Sequence, residues 1–237
     1  VPPPLEGPSF ELCAPILALE EHWLLPTSTW RSWEGREPNG MKMVAFRSPD
    51  AGVSWPEYVD VMADPAGERI FWESKIVELS DGHLLAVAWV YDQKNGTDLP
   101  NHYSVSENRG RSWSEPTSTG LAGQTLTPLP LSDRRVLSVY RRLDKPGLWA
   151  NLSTIGSDGD WNTGDWNTGG WNTGGWNTIE QIELWGGAAA GGGPKQGTAG
   201  MVESFQKLRF GAPSVVRLDS GGGYAAFWAA EDCVWII

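Results

Sequence analysis

Ser48-Pro49-Asp50-Ala51-Gly52-Val53-Ser54-Trp55 and Ser106-Glu107-Asn108-Arg109-Gly110-Arg111-Ser112-Trp113 spell one eight-position pattern, S-x-D/N-x-G-x-S-W, 58 residues apart. In a hairpin of this kind the Asp or Asn side chain accepts bonds from backbone N–H groups of its own turn. Gly supplies a φ > 0 position, and Trp returns to pack beneath the turn. The pattern is a structural staple, so it points to a fold before it points to a reaction.

A second repeat runs in step with the first. Pro15–Leu25, Lys75–Leu85, Thr127–Leu137 and Ser214–Ala226 each read as apolar alternation, a leucine, a polar turn and another apolar run, which is the pattern of a β-hairpin. The anchoring leucines are Leu19, Leu79, Leu131 and Leu218, with steps of 60, 52 and 87 residues. Each staple follows its leucine by 27 to 29 residues. One unit is therefore a hairpin, a link, and a second hairpin carrying the turn. Four antiparallel strands recurring at this spacing predict an all-β chain of propeller blades, with about four blades in a single domain over residues 1–237.

The long step holds Asp160–Thr178, DWNTGDWNTGGWNTGGWNT, with Trp161, Trp166, Trp171 and Trp176 five residues apart. A period of five matches neither a strand nor a helix, so these indoles do not share one face of a regular element. With the glycine-rich run at 186–193, residues 160–200 read as a low-complexity insertion within a blade, either a duplicated loop or a row of indole platforms for sugars. Ser153–Trp161 resembles a worn third copy of the staple.

Composition narrows the partners. Fifteen Trp, 29 Gly and 17 Pro suit short strands and many turns. A net charge of −11 without a basic cluster argues against nucleic acid and against an anionic membrane surface. The longest apolar run, Leu84–Tyr91, is far below the roughly 20 residues that span a bilayer, so membrane insertion is not expected. The chain is expected to be soluble, with a secreted or periplasmic location favoured over a cytoplasmic one. Cys13 and Cys233 read as buried thiols or as one bridge between the ends. His22, His83 and His102 are scattered, the first two at equivalent hairpin turns, so neither a metal site nor a cofactor is expected. There is no G-x-S-x-G elbow and no phosphate loop.

The staples, known as Asp boxes, together with WESKIVELSDGHLLAVAW (72–89) and GQTLTPLPLSDRRVLSVYRR (123–142), resemble the sialidase (neuraminidase) superfamily of six-bladed propellers over roughly Glu11–Trp235. The resemblance makes Ser48, Asp50, Gly52 and Trp55, with Ser106, Asn108, Gly110 and Trp113, the structural Asp-box residues. It implies a glycoside hydrolase acting on terminal acidic sugars through a Tyr–Glu nucleophile, an Asp acid/base and three Arg that clamp a carboxylate. Glu73 matches the family's Glu. Arg141, with Arg142 beside it, stands where a clamp is expected, and Gln124, in the same phrase, is grouped with them as a substrate contact.

The chain also departs from the family. Trp89 occupies another clamp position, Phe227 falls where the nucleophilic Tyr belongs, and Tyr224 is three residues out of register. The F-R-I-P phrase and a blade for the acid/base are not found, and four units are two short of six. The expectation is a propeller lacking N-terminal blades, either closed on four or left with an open edge for self-association. Trp89, Trp228 and Trp30, near the inner ends of second strands, suggest an alternative, a glycan-binding propeller whose indoles stack on sugars. A lyase or hydrolase acting on acidic polysaccharide is a further alternative.

Overall fold

The computed structural model describes residues 4–5, 9–30, 41–132, 134–142, 144–156, 175–186, 210–219, 221–231 and 234–236. Among them sixteen strands form four antiparallel sheets that follow one another along the chain. The first contains β1 (Ser9–Glu11) and β2 (Leu17–Ala18), both paired to β3 (Trp23–Trp30), then β4 (Met43–Ser48) and β5 (Glu57–Met62). The second runs β6 (Arg69–Glu78), β7 (Leu84–Asp92), β8 (Thr97–Ser106) and β9 (Thr117–Ser118). The third runs β10 (Gln124–Pro130), β11 (Arg135–Arg142), β12 (Gly147–Ile155) and β13 (Trp176–Trp185). The fourth contains β14 (Phe210–Arg217), β15 (Gly223–Glu231) and β16 (Val234–Ile236). Among the described residues no helix is long and apolar enough to cross a membrane.

The sheets stack face to face like blades, and β7 shows how the sequence enforces this. Leu84, Ala86, Ala88 and Val90 pack with Leu24, Met43 and Ala45 of the first sheet. Leu85 and Val87 pack with Leu126, Val136 and Tyr140 of the third. Successive strand side chains point to opposite faces, so a strand sandwiched between two sheets is apolar without interruption. The run Leu84–Tyr91 is that case.

The predicted staples form as expected, between the third and fourth strands of the first two sheets. Ser48 Oγ donates to Asp50 Oδ1 at 2.8 Å and accepts from the Gly52 amide at 2.8 Å, while Asp50 accepts the Ser54 amide at 2.8 Å and its hydroxyl at 2.6 Å. In the second copy Ser106 Oγ donates to Asn108 Oδ1 at 3.1 Å and accepts from Gly110 N at 2.8 Å, and Asn108 Oδ1 accepts the amides of Arg111 and Ser112. Two residues per turn take positive φ, Ala51 and Gly52 in one and Arg109 and Gly110 in the other. Trp55 packs with Leu5, Val44 and Phe46, and Trp113 packs against the core between the first two sheets.

The segment expected to be an insertion is regular structure at one end. Trp176–Trp185, placed above within a low-complexity segment, is a ten-residue strand closing the third sheet. Trp176, 8% exposed, sits in the core with its ring 5.6 Å from that of Tyr103. The last copy of the repeat, Trp176-Asn177-Thr178, thus supplies a packing residue that a period count misses, because tertiary burial overrides local repetition. Trp161, Trp166, Trp171 and most of the worn third staple lie outside the described residues, as does Cys233. Cys13 is exposed rather than buried.

Candidate functional site

The first strand of each of the last three sheets carries a bulge at the same place. Pairing slips between Trp72 and Lys75 on β6, between Gln124 and Thr127 on β10, and between Gly211 and Ser214 on β14. Within these slips Glu73, Thr125 and Ala212 take φ of 50°, 54° and 46°. All three lie six residues before an anchoring leucine, and Cys13 stands at the same distance before Leu19. A bulge tips the strand and re-aims its side chains, commonly beside functional sites. Here it gathers one residue from each sheet around the junction of the inner strands.

Side chains tie neighbouring sheets together at this junction. The Glu73 amide donates to Glu11 Oε2 on the first sheet at 3.0 Å. Lys75 Nζ donates to the Leu126 carbonyl on the third at 3.1 Å, and Thr127 Oγ1 donates to the Pro213 carbonyl on the fourth at 2.6 Å. Lys75 and Thr127 are equivalent positions two residues past the bulge. The link is therefore repeated, once with a cation and once with a hydroxyl.

Arg141 is 2% exposed, the largest fully buried side chain described. It stands opposite Gln124 across the β10–β11 pair. Nη1 donates to the Phe210 carbonyl at 3.1 Å and Nη2 to Gln124 Oε1. Gly211 makes room for it, since a Cβ there would lie 2.5 Å from Nη1. Gln124 Nε2 in turn reaches Asp98 Oδ2 at 3.4 Å, and Asp98 Oδ1 accepts the Trp89 indole N–H at 2.6 Å.

The electrostatics single out Glu73. Burial raises its carboxyl above the ordinary range, against the pull of Arg141 and Lys75, and the Glu11 carboxylate adds to the rise. Burial lowers Lys75 and Arg141, while Glu73 works to keep both charged. The Cys13 thiol is pushed up to about 12 by burial of the group and by Glu11 and Glu73, although the residue as a whole is exposed. Glu73 Oε2 and Arg141 Nε are buried without a hydrogen-bond partner among the described residues. A buried acceptor and a single buried N–H without partners, on two groups that act on each other electrostatically, suit a polar ligand.

The sequence candidates divide accordingly. Glu73, Arg141 and Gln124 come together in this cluster. Trp228 stands opposite Gly211 and is half-buried, beside the space that Arg141 fills. Trp89 does not present a face to solvent: it is 3% exposed, packed with Trp72, Tyr91 and Met41, and fixed by Asp98. Arg142 points to the opposite side of β11 from Arg141, as alternation requires. It is held by Asp144 and by Gln181 Oε1 at 2.8 Å, with its guanidinium 4.7 Å above the Trp149 ring. It is a rim staple, not a partner of Arg141.

At the Tyr position Phe227 is half-buried against Trp185, at 5.6 Å, and Tyr224 is 70% exposed. Neither offers a hydroxyl beside Glu73. Four members of the cluster were not proposed from sequence: Glu11, Lys75, Asp98 and Cys13. Lys75 had a signal, because it interrupts a repeat position held elsewhere by Pro15, Thr127 and Ser214, and Cys13 had one in sharing the spacing of Glu73 from an anchoring leucine. Asp98 had none, since its place depends on how the second and third sheets meet. Among the described residues no group of three or more His, Cys, Asp or Glu is placed to hold a metal ion.

No family model and no curated protein matches this chain. Solved structures do. A protein of unknown function from Dyadobacter fermentans aligns with a TM-score of 0.58 at 19% identity, over 90% of this chain and 48% of the other. An exo-β-1,3-galactanase from Phanerochaete chrysosporium, solved with β-1,3-galactotriose, aligns with a TM-score of 0.51 at 10% identity, over 91% of this chain and 42% of the other. The chain spans less than half the length of each. At these identities the likeness is one of fold.

Proposed function

We infer that the chain is a glycan-acting propeller whose reaction centre is the cluster around Glu73, and that it hydrolyses a glycosidic bond next to an acidic sugar, as a sialidase-type enzyme does. The observation that supports this reading is the meeting of Glu73 and Arg141, from different sheets, with one unpaired buried polar atom each. A buried carboxyl whose pKa is raised toward the protonated form is suited to give a proton to a leaving glycosidic oxygen. Water then adds to the anomeric carbon and its proton passes to a second carboxylate, a role for Glu11, whose Oε2 accepts the Glu73 amide. Arg141 and Lys75 supply the positive charge that an acidic sugar seeks, Arg through its planar fork and Lys as a point charge. The galactanase likeness adds a solved structure that holds a sugar on a similar fold.

A second reading, glycan binding without hydrolysis, is favoured by Phe227. The residue expected to attack the sugar carries no hydroxyl, while Trp228 keeps an indole beside the cluster for stacking on a sugar face. A panel of 4-methylumbelliferyl glycosides separates the readings. Release from the sialoside or glucuronide, and not from the galactoside or xyloside, is expected of the hydrolase. Binding of the free acidic sugar with no release from any member of the panel would leave the binding module in its place.

A further inference from the structure

The Gln124 amide has two unlike ends, an oxygen that accepts and a nitrogen that donates. Its two neighbours are each of one polarity. The Arg141 guanidinium only donates, and Asp98 accepts in both of its contacts, from the Gln124 amide at 3.4 Å and from the Trp89 indole at 2.6 Å. One amide orientation satisfies both, with Oε1 toward Arg141 and Nε2 toward Asp98. The opposite orientation sets donor against donor and acceptor against acceptor. Asp98 is itself held by the Trp89 indole at 2.6 Å, so the direction is imposed from the second sheet and passed across to the third.

We propose that Asp98 is a positioning residue that sets selectivity for acidic sugars: it fixes the Gln124 amide, which holds the Arg141 guanidinium with Nε left open as a donor to a ligand carboxylate. This rests on the reading of the Glu73 cluster as an acidic-sugar site. The far side of the guanidinium is tethered to the Phe210 carbonyl, so with Gln124 it is held at two of its three nitrogens. Arg141 is then preorganised, and little rotamer freedom remains to be lost when a carboxylate arrives.

The polarity argument makes a test that simple packing does not share. D98N keeps an acceptor for the Trp89 indole but turns a donor toward Gln124, so the amide must invert and present its nitrogen to Arg141. Q124E sets one carboxylate against another. The double variant D98N/Q124E restores every donor to an acceptor and keeps the net charge of the original pair. Titration calorimetry at pH 7 with glucuronate, N-acetylneuraminate and galactose, on the full chain, is expected to show each single variant losing about tenfold or more of the acidic-over-neutral preference. The double variant is expected to recover it to within about threefold. Single variants that keep the preference, or a double variant no better than D98N, would overturn the proposal.

Should the parent chain bind no acidic sugar, the function above fails. The relay is then decided by nuclear magnetic resonance of the Arg141 guanidinium. Rotation about its Cζ–N bonds is expected to be slow in the parent and the double variant and fast in D98N. Equally slow rotation in D98N would sink the relay on its own.

Discussion

The turns at the rim and the cluster at the axis are both repeats, and they treat repetition in opposite ways. Ser48-to-Trp55 and Ser106-to-Trp113 use the same residue types for the same bonds, and the Ser hydroxyl and the Asp or Asn side-chain oxygen are engaged in both copies. The bulge position is also repeated, yet Cys13, Glu73, Thr125 and Ala212 share nothing chemically, and the buried Oε2 of Glu73 has no partner among the described residues. A repeated position with constant chemistry holds a turn. One with changing chemistry, where residues of neighbouring sheets meet, is where a site can be built.

The largest effect expected from this contrast is on Glu73. Glu73→Gln keeps the shape and removes the proton, so hydrolysis of the preferred glycoside should fall by about 10²- to 10⁴-fold, while the melting temperature changes little. Equal activity in the variant would take Glu73 out of the mechanism. Gly211→Ala attacks the same centre from behind. The added Cβ would lie 2.5 Å from Arg141 Nη1, at a backbone φ of 155° that side chains rarely adopt. A loss of about 1–3 kcal/mol is expected by chemical denaturation, together with weaker binding of acidic sugars. An unchanged affinity would mean that Arg141 does not meet the ligand.

Ser48→Ala is the rim's counterpart. Ser48 is fully buried, accepts from Gly52 N and donates to Asp50, so its loss should cost about 1–2 kcal/mol of stability. Turnover per folded molecule should stay the same. A fall in kcat without a fall in stability would break the division between rim and axis.

This division also explains what could be read in advance. The strands and staples were legible because they rest on local rules: alternation along Leu84–Tyr91, a Gly at φ > 0, an Asx side chain closing its own turn. Glu73 and Arg141 were pointed to by the family resemblance, and the structure brings both into the cluster at the junction of the sheets. Trp89 was misread because its register says which way the strand faces and not what covers it. Met41, remote in sequence, and Asp98, on the neighbouring strand, do the covering. Arg142 was misread by adjacency: two neighbouring residues of a strand cannot serve one pocket. Trp176 was lost in a repeat whose last copy alone is built into the core among the described residues.

The smallest effect is the most diagnostic, since rim and axis should respond to pH with opposite sign. Hydrogen bonds from the Ser54 hydroxyl and amide, then from Ser48, hold the Asp50 carboxyl below its ordinary range. Its folded pKa is depressed, so the stability it contributes is present above the unfolded pKa and fades as pH falls through the folded one. Glu73 is raised, chiefly by burial. The folded state keeps that proton to higher pH than the unfolded chain does, so its contribution is full in acid and is lost as pH rises from the ordinary carboxyl range through the raised value. Melting curves across pH 3 to about 8 should therefore show Asp50→Ala differing from the parent least at the acid end. Glu73→Gln should gain on the parent as pH rises. The shifts expected are only about 2–4 °C. If both differences ran in the same direction with pH, the Glu73 carboxyl would have to be paired and ionised like its counterpart at the rim, and it could not serve as the proton donor.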